Sequence, residues 1–250
     1  MLKNLTRGGI LKSGVQGGMA GLSLLLLVVH AADSGSGPHA ESGPVSSAPS
    51  RMAQASQRAE FGHEPASAQA RDVAHWVMAS GDHQGRPFVV VDKIHARVFV
   101  FDRRGHLLGA ASALLGLQRG DEAVKGLGDR PLSLVQPHER ITPAGRFVAE
   151  LDHNVLGQAI LWLDYEQAIS LHPVRSVNPK ERRLQRLASP AIADKRISYG
   201  CINVPTQFWG QVVEPAFRGT QGLVYVLPEL RSLGTVFKDL DSPTDAAVVK

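Results

Sequence analysis

The hydrophobic positions in the middle of the chain form short apolar runs that are separated by polar breaks. Phe88 to Val91 is continuously apolar, and Arg97 to Phe101 alternates before it also becomes apolar. Asp92-Lys93 and Arg103-Arg104-Gly105 separate the runs in the manner of turns. With Leu107 to Leu115, they predict a β-meander.

The same pattern continues toward the C-terminal end of the chain. It predicts four further strands, at Arg146–Leu151, Ala159–Leu163, Ile169–Leu171 and Gly222–Leu227. Residues 116 to 129 are rich in glycine and are predicted to form a loop. Helices are predicted where apolar residues recur on one face, at Ala70–Ser80, at Pro179–Leu187 and from Pro205 until Pro215 interferes. Short strands dominate, so the pattern predicts a mainly β domain with a few peripheral helices.

The N-terminal segment has a different pattern. Lys3, Arg7 and Lys12 precede a short apolar run, Leu22 to Val29, which ends in small residues near Ala31. This layout is typical of a secretory signal peptide over residues 1–32. The alternative is an uncleaved anchor helix that tethers the chain to the inner membrane. Both interpretations predict export to the bacterial periplasm or cell envelope. No cysteine follows the apolar run, which excludes a bacterial lipid anchor.

Three further segments follow the predicted signal. Residues 33–70 are dominated by Ala, Ser, Gly and Pro and contain few large apolar side chains, so we expect a disordered linker. Residues 71–230 carry the strand pattern and are the predicted folded domain. Residues 231–250 are predicted to be a loosely attached tail.

Composition narrows the possible chemistry. The chain has 250 residues, 43% of them hydrophobic, with one cysteine and a formal net charge of +4. A single cysteine excludes an intramolecular disulfide framework, a cysteine-based zinc site and an iron–sulfur cluster. The charge excess is too small and dispersed to indicate nucleic acid. The histidines show no metal-binding spacing, so no metal or cofactor is expected. Nothing in the sequence indicates the oligomeric state.

The single cysteine lies in the stretch Arg196-Ile-Ser198-Tyr199-Gly200-Cys201-Ile-Asn203-Val-Pro. A structural cysteine usually lies within an apolar run, whereas this one follows a glycine and precedes a turn that ends in proline. Backbone N–H groups at Gly200 and Cys201 are candidates for stabilising an oxyanion. The nearby cations Lys195 and Arg196 favour the thiolate. A catalytic and a structural role for Cys201 are therefore about equally supported by the residues alone.

A histidine suited to activate the thiol is present upstream. His172 follows the predicted strand Ile169–Leu171, and the end of a strand is a rigid position from which to present an imidazole. The alternative is a surface or core histidine without a chemical role.

These residues resemble the signature of the L,D-transpeptidase catalytic domain (the YkuD-like family). That signature is a histidine followed by Ser/Thr-His-Gly-Cys, an aliphatic residue and usually arginine, and His172 and Ser198 to Asn203 resemble it in order. Thr142-Pro-Ala-Gly145-Arg-Phe147 resembles a second segment of the family, which leads into a strand. The resemblance spans about Phe88 to Pro228 and implies a β-sandwich or mixed-sheet domain.

The sequence departs from the signature at two positions and in one spacing. Tyr199 replaces the second histidine, Asn203 replaces the arginine, and the separation of His172 and Cys201 is longer than usual. Tyrosine can still donate a hydrogen bond, but the loss of arginine removes a bidentate carboxylate anchor. The basic segment from Arg175 to Arg196 can compensate, and the substrate-binding candidates are Arg183, Arg196 and Asn203. The alternative for this segment is a solvated helix face.

The resemblance implies acyl transfer through a thioester on Cys201, with His172 as the base and the Pro173 carbonyl as its partner. Gly200, Ser198 and Tyr199 would support the oxyanion and the loop. The implied substrates and partners are the stem peptides of peptidoglycan. Two alternatives stay open at this point. One is an L,D-carboxypeptidase or cysteine peptidase on the same domain, and the other is a non-catalytic module that binds the cell wall.

Overall fold

A computed structural model describes residues 58–238 and 240 of the chain. The predicted signal peptide, most of the predicted linker and the end of the predicted tail lie outside these residues. The strands of the described part are β1 (Phe88–Asp92), β2 (Arg97–Phe101), β3 (Leu107–Ser112), β4 (Leu115–Gly116), β5 (Gly145–His153), β6 (Ala159–Asp164), β7 (Ile169–Pro173), β8 (Arg196–Ser198), β9 (Ile202–Val204) and β10 (Gly222–Val226). All the strands predicted from the sequence are present.

Eight of the described strands form one mixed sheet in the order β3-β2-β1-β10-β5-β6-β7-β9, and β4 pairs with β8. The pairs β1–β10, β7–β9 and β4–β8 are parallel, and the other neighbours are antiparallel. The predicted mainly β class is thus confirmed. At the β9 edge, Leu114 and Asn203 exchange two backbone hydrogen bonds of 2.8 and 2.9 Å. This edge is therefore connected to the chain that follows β3.

The helices of the described residues are short and peripheral. Their bounds are α1 (Ala68–Ser80), α2 (Arg183–Ala188), α3 (Thr206–Phe208), α4 (Glu214–Phe217) and α5 (Leu233–Val236), with a π-helical turn at Trp209–Val213 and 3₁₀ turns at Leu127–Asp129, Leu132–Leu134, Pro137–Glu139, Pro179–Glu181 and Ile192–Lys195. Helix α1 begins where Ser67 Oγ accepts a hydrogen bond from the Ala70 N–H, and it ends at Gly81 in the left-handed region.

Helical structure continues past Pro215, where the sequence predicted an interruption. The π-helical turn directly precedes this proline, which occupies the first turn of α4. A proline is tolerated in a first turn because its missing N–H has no obligatory partner there. The segment from Thr206 to Phe217 therefore stays helical and buries Trp209 and Val213.

Apolar side chains are buried on both faces of the large sheet, because alternate residues of a strand point to opposite faces. Val89 and Val91 of β1 belong to one core, which also contains residues of β7, β9 and the π-helical turn. Phe88 and Val90 belong to a second core, which packs against α1. The first core thus receives residues from strands near both ends of the sheet.

The folded unit extends beyond both predicted boundaries. Phe61, which lies in the predicted linker, is 4% exposed and contacts the rings of Phe99 and Phe101 edge to face. Phe237, in the predicted tail, is also 4% exposed and packs in the same core. One aromatic side chain buries enough apolar surface to hold a short flanking segment against the domain. The average composition of the segment does not reveal such a contact. Residues 58–70 and the tail through Phe237 are therefore corrected to parts of the folded unit.

No helix among the described residues is long and apolar enough to span a membrane.

Candidate active site

The cysteine lies in a tight loop between β8 and β9 that Ser198 holds closed. Ser198 Oγ donates to the Cys201 carbonyl oxygen at 2.6 Å and accepts from the Gly200 N–H at 3.1 Å. Gly200 has φ +136°, and a Cβ atom there would lie 2.8 Å from the Ile141 carbonyl oxygen. The loop therefore requires glycine directly before the cysteine.

A residue of the second sequence motif supports this loop from below. Thr142 is fully buried, and its Oγ1 donates to the Gly200 carbonyl oxygen at 2.7 Å. Thr142 Oγ1 also accepts a hydrogen bond from the Gly116 N–H at 2.8 Å. One hydroxyl thus joins the Thr142-Pro segment to the Cys201 loop, although the two are far apart in the sequence.

The thiol of Cys201 is half-buried and lies against β7. Its Sγ donates to the Ala168 carbonyl oxygen at 3.4 Å and accepts from Ser170 Oγ at 3.5 Å. Burial raises the pKa of the thiol, but the hydrogen bonding and charge of His172, followed by the donors of Ser170, outweigh burial and bring the pKa to about 7. The thiol is therefore partly ionised near neutral pH.

The His172 imidazole is oriented by a backbone carbonyl. Its Nδ1 donates to the Pro173 carbonyl oxygen at 2.8 Å. Because a carbonyl can only accept, Nδ1 carries a proton and Nε2 presents its lone pair. Cys201 can therefore exchange a proton only with Nε2. Strand pairing brings the two together, since Leu171 in β7 is opposite Ile202 in β9.

Asn203 competes with the thiol for that lone pair. Its side chain is fully buried, and Nδ2 donates to His172 Nε2 at 3.1 Å. Its Oδ1 accepts from Arg183 Nη1 at 2.6 Å. A guanidinium can only donate, so Arg183 determines which end of the amide faces the histidine. In this arrangement Nε2 accepts a hydrogen bond from Asn203.

The side chain of Tyr199 is placed by a cation–π contact. The Arg140 guanidinium lies 4.0 Å from the centroid of the Tyr199 ring, and it also donates to the Val135 carbonyl oxygen at 3.1 Å. Tyr199 thereby forms part of the cavity wall beside Cys201.

A cavity of about 440 Å³ opens at the thiol. Six of the predicted site residues line it: Cys201, His172, Ser198, Tyr199, Asn203 and Arg183. Large apolar side chains also line this cavity. Leu127, Leu132 and Val135 come from the segment between β4 and β5, and Val177 comes from the segment after β7. The structure thus places a thiol, an imidazole and a partly apolar surface at one cavity.

Two predicted residues have other positions or contacts. Arg196 donates to Glu229 Oε2 at 2.6 Å and to the Lys93 carbonyl oxygen at 3.0 Å, and it does not line the cavity. Gly200 belongs to the loop, but its N–H is already bonded to Ser198 Oγ. Of the two backbone donors proposed for an oxyanion, the Cys201 N–H is the one not bonded to Ser198.

The sequence did not indicate a role for Ser170, and it included Arg175 only as one cation of the basic segment from Arg175 to Arg196. Ser170 is two residues before His172 in a strand, so the period of two already puts both on one face. Arg175 also lines the cavity, but nothing in the sequence separates it from the other arginines of its segment. Among the described residues, no group of three or more acidic, histidine or cysteine side chains could hold a metal ion.

Comparisons of the sequence with protein families and with curated proteins found no match. A comparison with solved structures found similarity to the NMR structure of the catalytic domain from E. faecium L,D-transpeptidase. The match has 16% sequence identity and a TM-score of 0.33, and it covers 57% of this chain and 98% of that one. The chemistry of the site described above does not follow from a similarity of this size.

Proposed function

We propose that this protein is a cysteine-dependent acyltransferase that acts on the stem peptides of peptidoglycan. The observation that carries the proposal is the placement of the Cys201 thiol and the His172 imidazole at one cavity, with Nδ1 of the imidazole held by the Pro173 carbonyl. This placement lowers the pKa of the thiol to about 7. The cavity at the thiol supplies room for a peptide. The choice of substrate rests on the motif around Cys201, which resembles that of L,D-transpeptidases.

The first half of the reaction forms a thioester. His172 Nε2 takes the thiol proton, and Sγ attacks a peptide carbonyl carbon. The resulting tetrahedral intermediate collapses by breaking the C–N bond, and His172 gives the same proton to the leaving amine nitrogen. The Nδ1–H bond to Pro173 keeps the ring oriented throughout these steps.

The second half transfers the acyl group. An amine of a second stem peptide attacks the thioester and loses its proton to His172, and the thiolate leaves and recovers that proton. Water in place of the amine gives hydrolysis, which is the carboxypeptidase alternative. Both reactions use the same residues, so the acceptor alone distinguishes them.

The oxyanion of each tetrahedral intermediate needs preorganised donors. We assign one donor to the Cys201 N–H, since the Gly200 N–H is bonded to Ser198 Oγ. The Tyr199 hydroxyl is the second donor in this proposal, at the position where the family has a histidine. Removing one such donor typically costs about 3 to 4 kcal/mol of transition-state stabilisation.

The proposed place of action is the bacterial cell envelope. The basis is the N-terminal pattern of residues 1–32, either as a cleaved signal or as an inner-membrane tether. A fusion of this segment to a reporter that is active only after export tests the proposal. Retention of the reporter in the cytoplasm would contradict it.

Intact-mass spectrometry with a stem tetrapeptide and with a carbapenem tests the enzymatic proposal. We expect a covalent adduct on Cys201 that is absent in Cys201→Ala and that forms far more slowly in His172→Ala. Adding an amine acceptor should convert the peptide adduct into a cross-linked product. A folded protein that binds the peptide but never forms an adduct would instead support a non-catalytic wall-binding module.

A further inference from the structure

Arg175 is a cation at the cavity with no carboxylate partner within the described residues. It lines the cavity together with Cys201 and His172. Burial lowers the pKa of its guanidinium, and the neighbouring charge of Cys201 raises it. A guanidinium stays protonated in proteins, so this side chain carries a full charge into the cavity.

The other arginines considered for substrate binding are already engaged. Arg183 donates to Glu181 Oε2 at 2.5 Å and to Asn203 Oδ1 at 2.6 Å. Arg196 is paired with the buried Glu229. A partly buried guanidinium without a carboxylate is costly, whereas a bound anion offsets that cost through charge-assisted hydrogen bonds.

The position of Arg175 along the chain indicates which part of the substrate it meets. It follows His172 by three residues, just beyond the end of β7. In the proposed reaction His172 protonates the leaving amine, so the leaving residue lies beside the end of β7. In an α-amino acid the carboxylate is separated from that amine by one carbon atom.

We infer that Arg175 binds the free carboxylate of the residue that leaves, and that this contact selects peptides whose scissile bond is the last one. The inference rests on the proposed function. It assigns substrate selection to Arg175, a role that the sequence interpretation gave to Arg183 and Arg196.

The test uses two tetrapeptides, L-Ala-γ-D-Glu-L-Lys-D-Ala and the same peptide with a C-terminal carboxamide. For the carboxylate peptide, we expect Arg175→Gln to reduce kcat/KM for thioester formation by about 10- to 100-fold. For the carboxamide, we expect a change of less than about threefold, and Arg175→Lys should restore part of the rate. Lys180→Gln is the charge-matched control, since Lys180 is exposed in the same segment and does not line the cavity.

An equal loss with both peptides would overturn the inference, because it would mean that Arg175 acts on the thiolate rather than on the substrate. A third peptide, with the D-Glu carboxylate amidated instead, shows whether the wrong carboxylate was assigned. If the loss of rate in Arg175→Gln depended on the D-Glu carboxylate and not on the C-terminal carboxylate, the inference would also be overturned.

Binding to Cys201→Ala separates this inference from the proposed function. Calorimetry on that variant should show the carboxylate peptide binding more tightly than the carboxamide, with the difference abolished by adding Arg175→Gln. If the difference is present but the unmodified enzyme never forms a thioester, the anchor stands and the proposed function fails. If thioesters form and the two peptides bind equally, the anchor fails and the function stands.

Discussion

Asn203 and His172 lie side by side in the parallel pair of β7 and β9, and Nδ2 of the asparagine is 3.1 Å from Nε2 of the histidine. Arg183 holds the amide in this orientation through Oδ1. The donor at Nε2 opposes transfer of the thiol proton to the same atom. Asn203 is thus a positioning residue that orients the base and also restrains it.

Asn203→Ala should have two opposite effects. We expect kcat to fall by about 10- to 100-fold because the ring is held less firmly. We also expect the midpoint of Cys201 alkylation to move to lower pH, because Nε2 becomes free to accept the thiol proton. Steady-state kinetics and a pH series of iodoacetamide modification measure the two effects. A fall in kcat with an unchanged alkylation midpoint would mean that the asparagine has only a structural role.

The thiol itself should titrate near neutrality. Since the pKa of Cys201 is lowered to about 7, the alkylation rate should rise through pH 7 and level off above it, as the protonated form disappears. In His172→Ala the largest lowering contribution is lost while the burial that raises the pKa stays, so the midpoint should move upward, toward or above the ordinary value of a cysteine. Rates measured between pH 5 and 10 give both midpoints, and identical curves would remove His172 from the mechanism.

Gly200→Ala should damage the cysteine loop. A methyl group there meets the Ile141 carbonyl oxygen at 2.8 Å, and φ +136° is strained for any residue with a side chain. We expect a loss of about 1 to 3 kcal/mol in the free energy of unfolding, together with slower alkylation of Cys201.

Gly210→Ala is the matched control for that variant, because a Cβ atom at Gly210 has no neighbour within 4 Å. Urea unfolding of both variants, with alkylation rates on the folded proteins, makes the comparison. Equal stability of the two variants would show that the loop tolerates a side chain at position 200, so that neither the positive φ nor the close approach to Ile141 requires glycine.

Tyr199→Phe isolates the role of one hydroxyl. Phenylalanine keeps the ring that stacks on the Arg140 guanidinium at 4.0 Å, so the cavity wall should be preserved. We expect kcat for thioester formation to fall by about 100- to 1000-fold because an oxyanion donor is lost. The binding of the carboxamide tetrapeptide to the variant, measured by calorimetry, serves as the control. Unaltered kinetics would exclude the hydroxyl from the reaction.

Most strands of the fold could be predicted from local sequence patterns. The strands β1, β2 and β10 are runs of β-branched and aromatic residues, and such runs predict strands whatever they pair with. The order of strands in the sheet was not accessible, because β10 lies between β1 and β5 through pairings that span most of the domain. The domain boundaries were missed because single aromatic residues, Phe61 and Phe237, hold segments whose average composition predicts no structure.

The candidate site likewise contains residues that the sequence suggested and residues that only the structure shows. Cys201 was a candidate because it is the one cysteine of the chain and follows a glycine, whereas His172, one of ten histidines, became a candidate through its position at the end of a strand and the resemblance of the motifs. Ser170 was identifiable in principle from its spacing to His172 in the strand. Arg175 and Arg196 could not be distinguished from the sequence. Only the position of Glu229 in space shows that Arg196 is paired, whereas Arg175 has no carboxylate partner in the described part of the chain.

The sequence by itself therefore determined which local strands form and offered Cys201 and His172 as candidates for a reactive pair, because strand patterns and motifs depend on neighbouring residues. Tertiary structure decided what those groups contact: the carbonyl that orients the imidazole, the amide that donates to its second nitrogen, and the arginine beside them that has no carboxylate partner among residues 58–238 and 240. The physical reason is that charge pairing and hydrogen bonding depend on distance in space. Chain folding sets these distances between residues far apart in sequence, such as Thr142 and Gly200, whose hydrogen bond of 2.7 Å holds the cysteine loop in place.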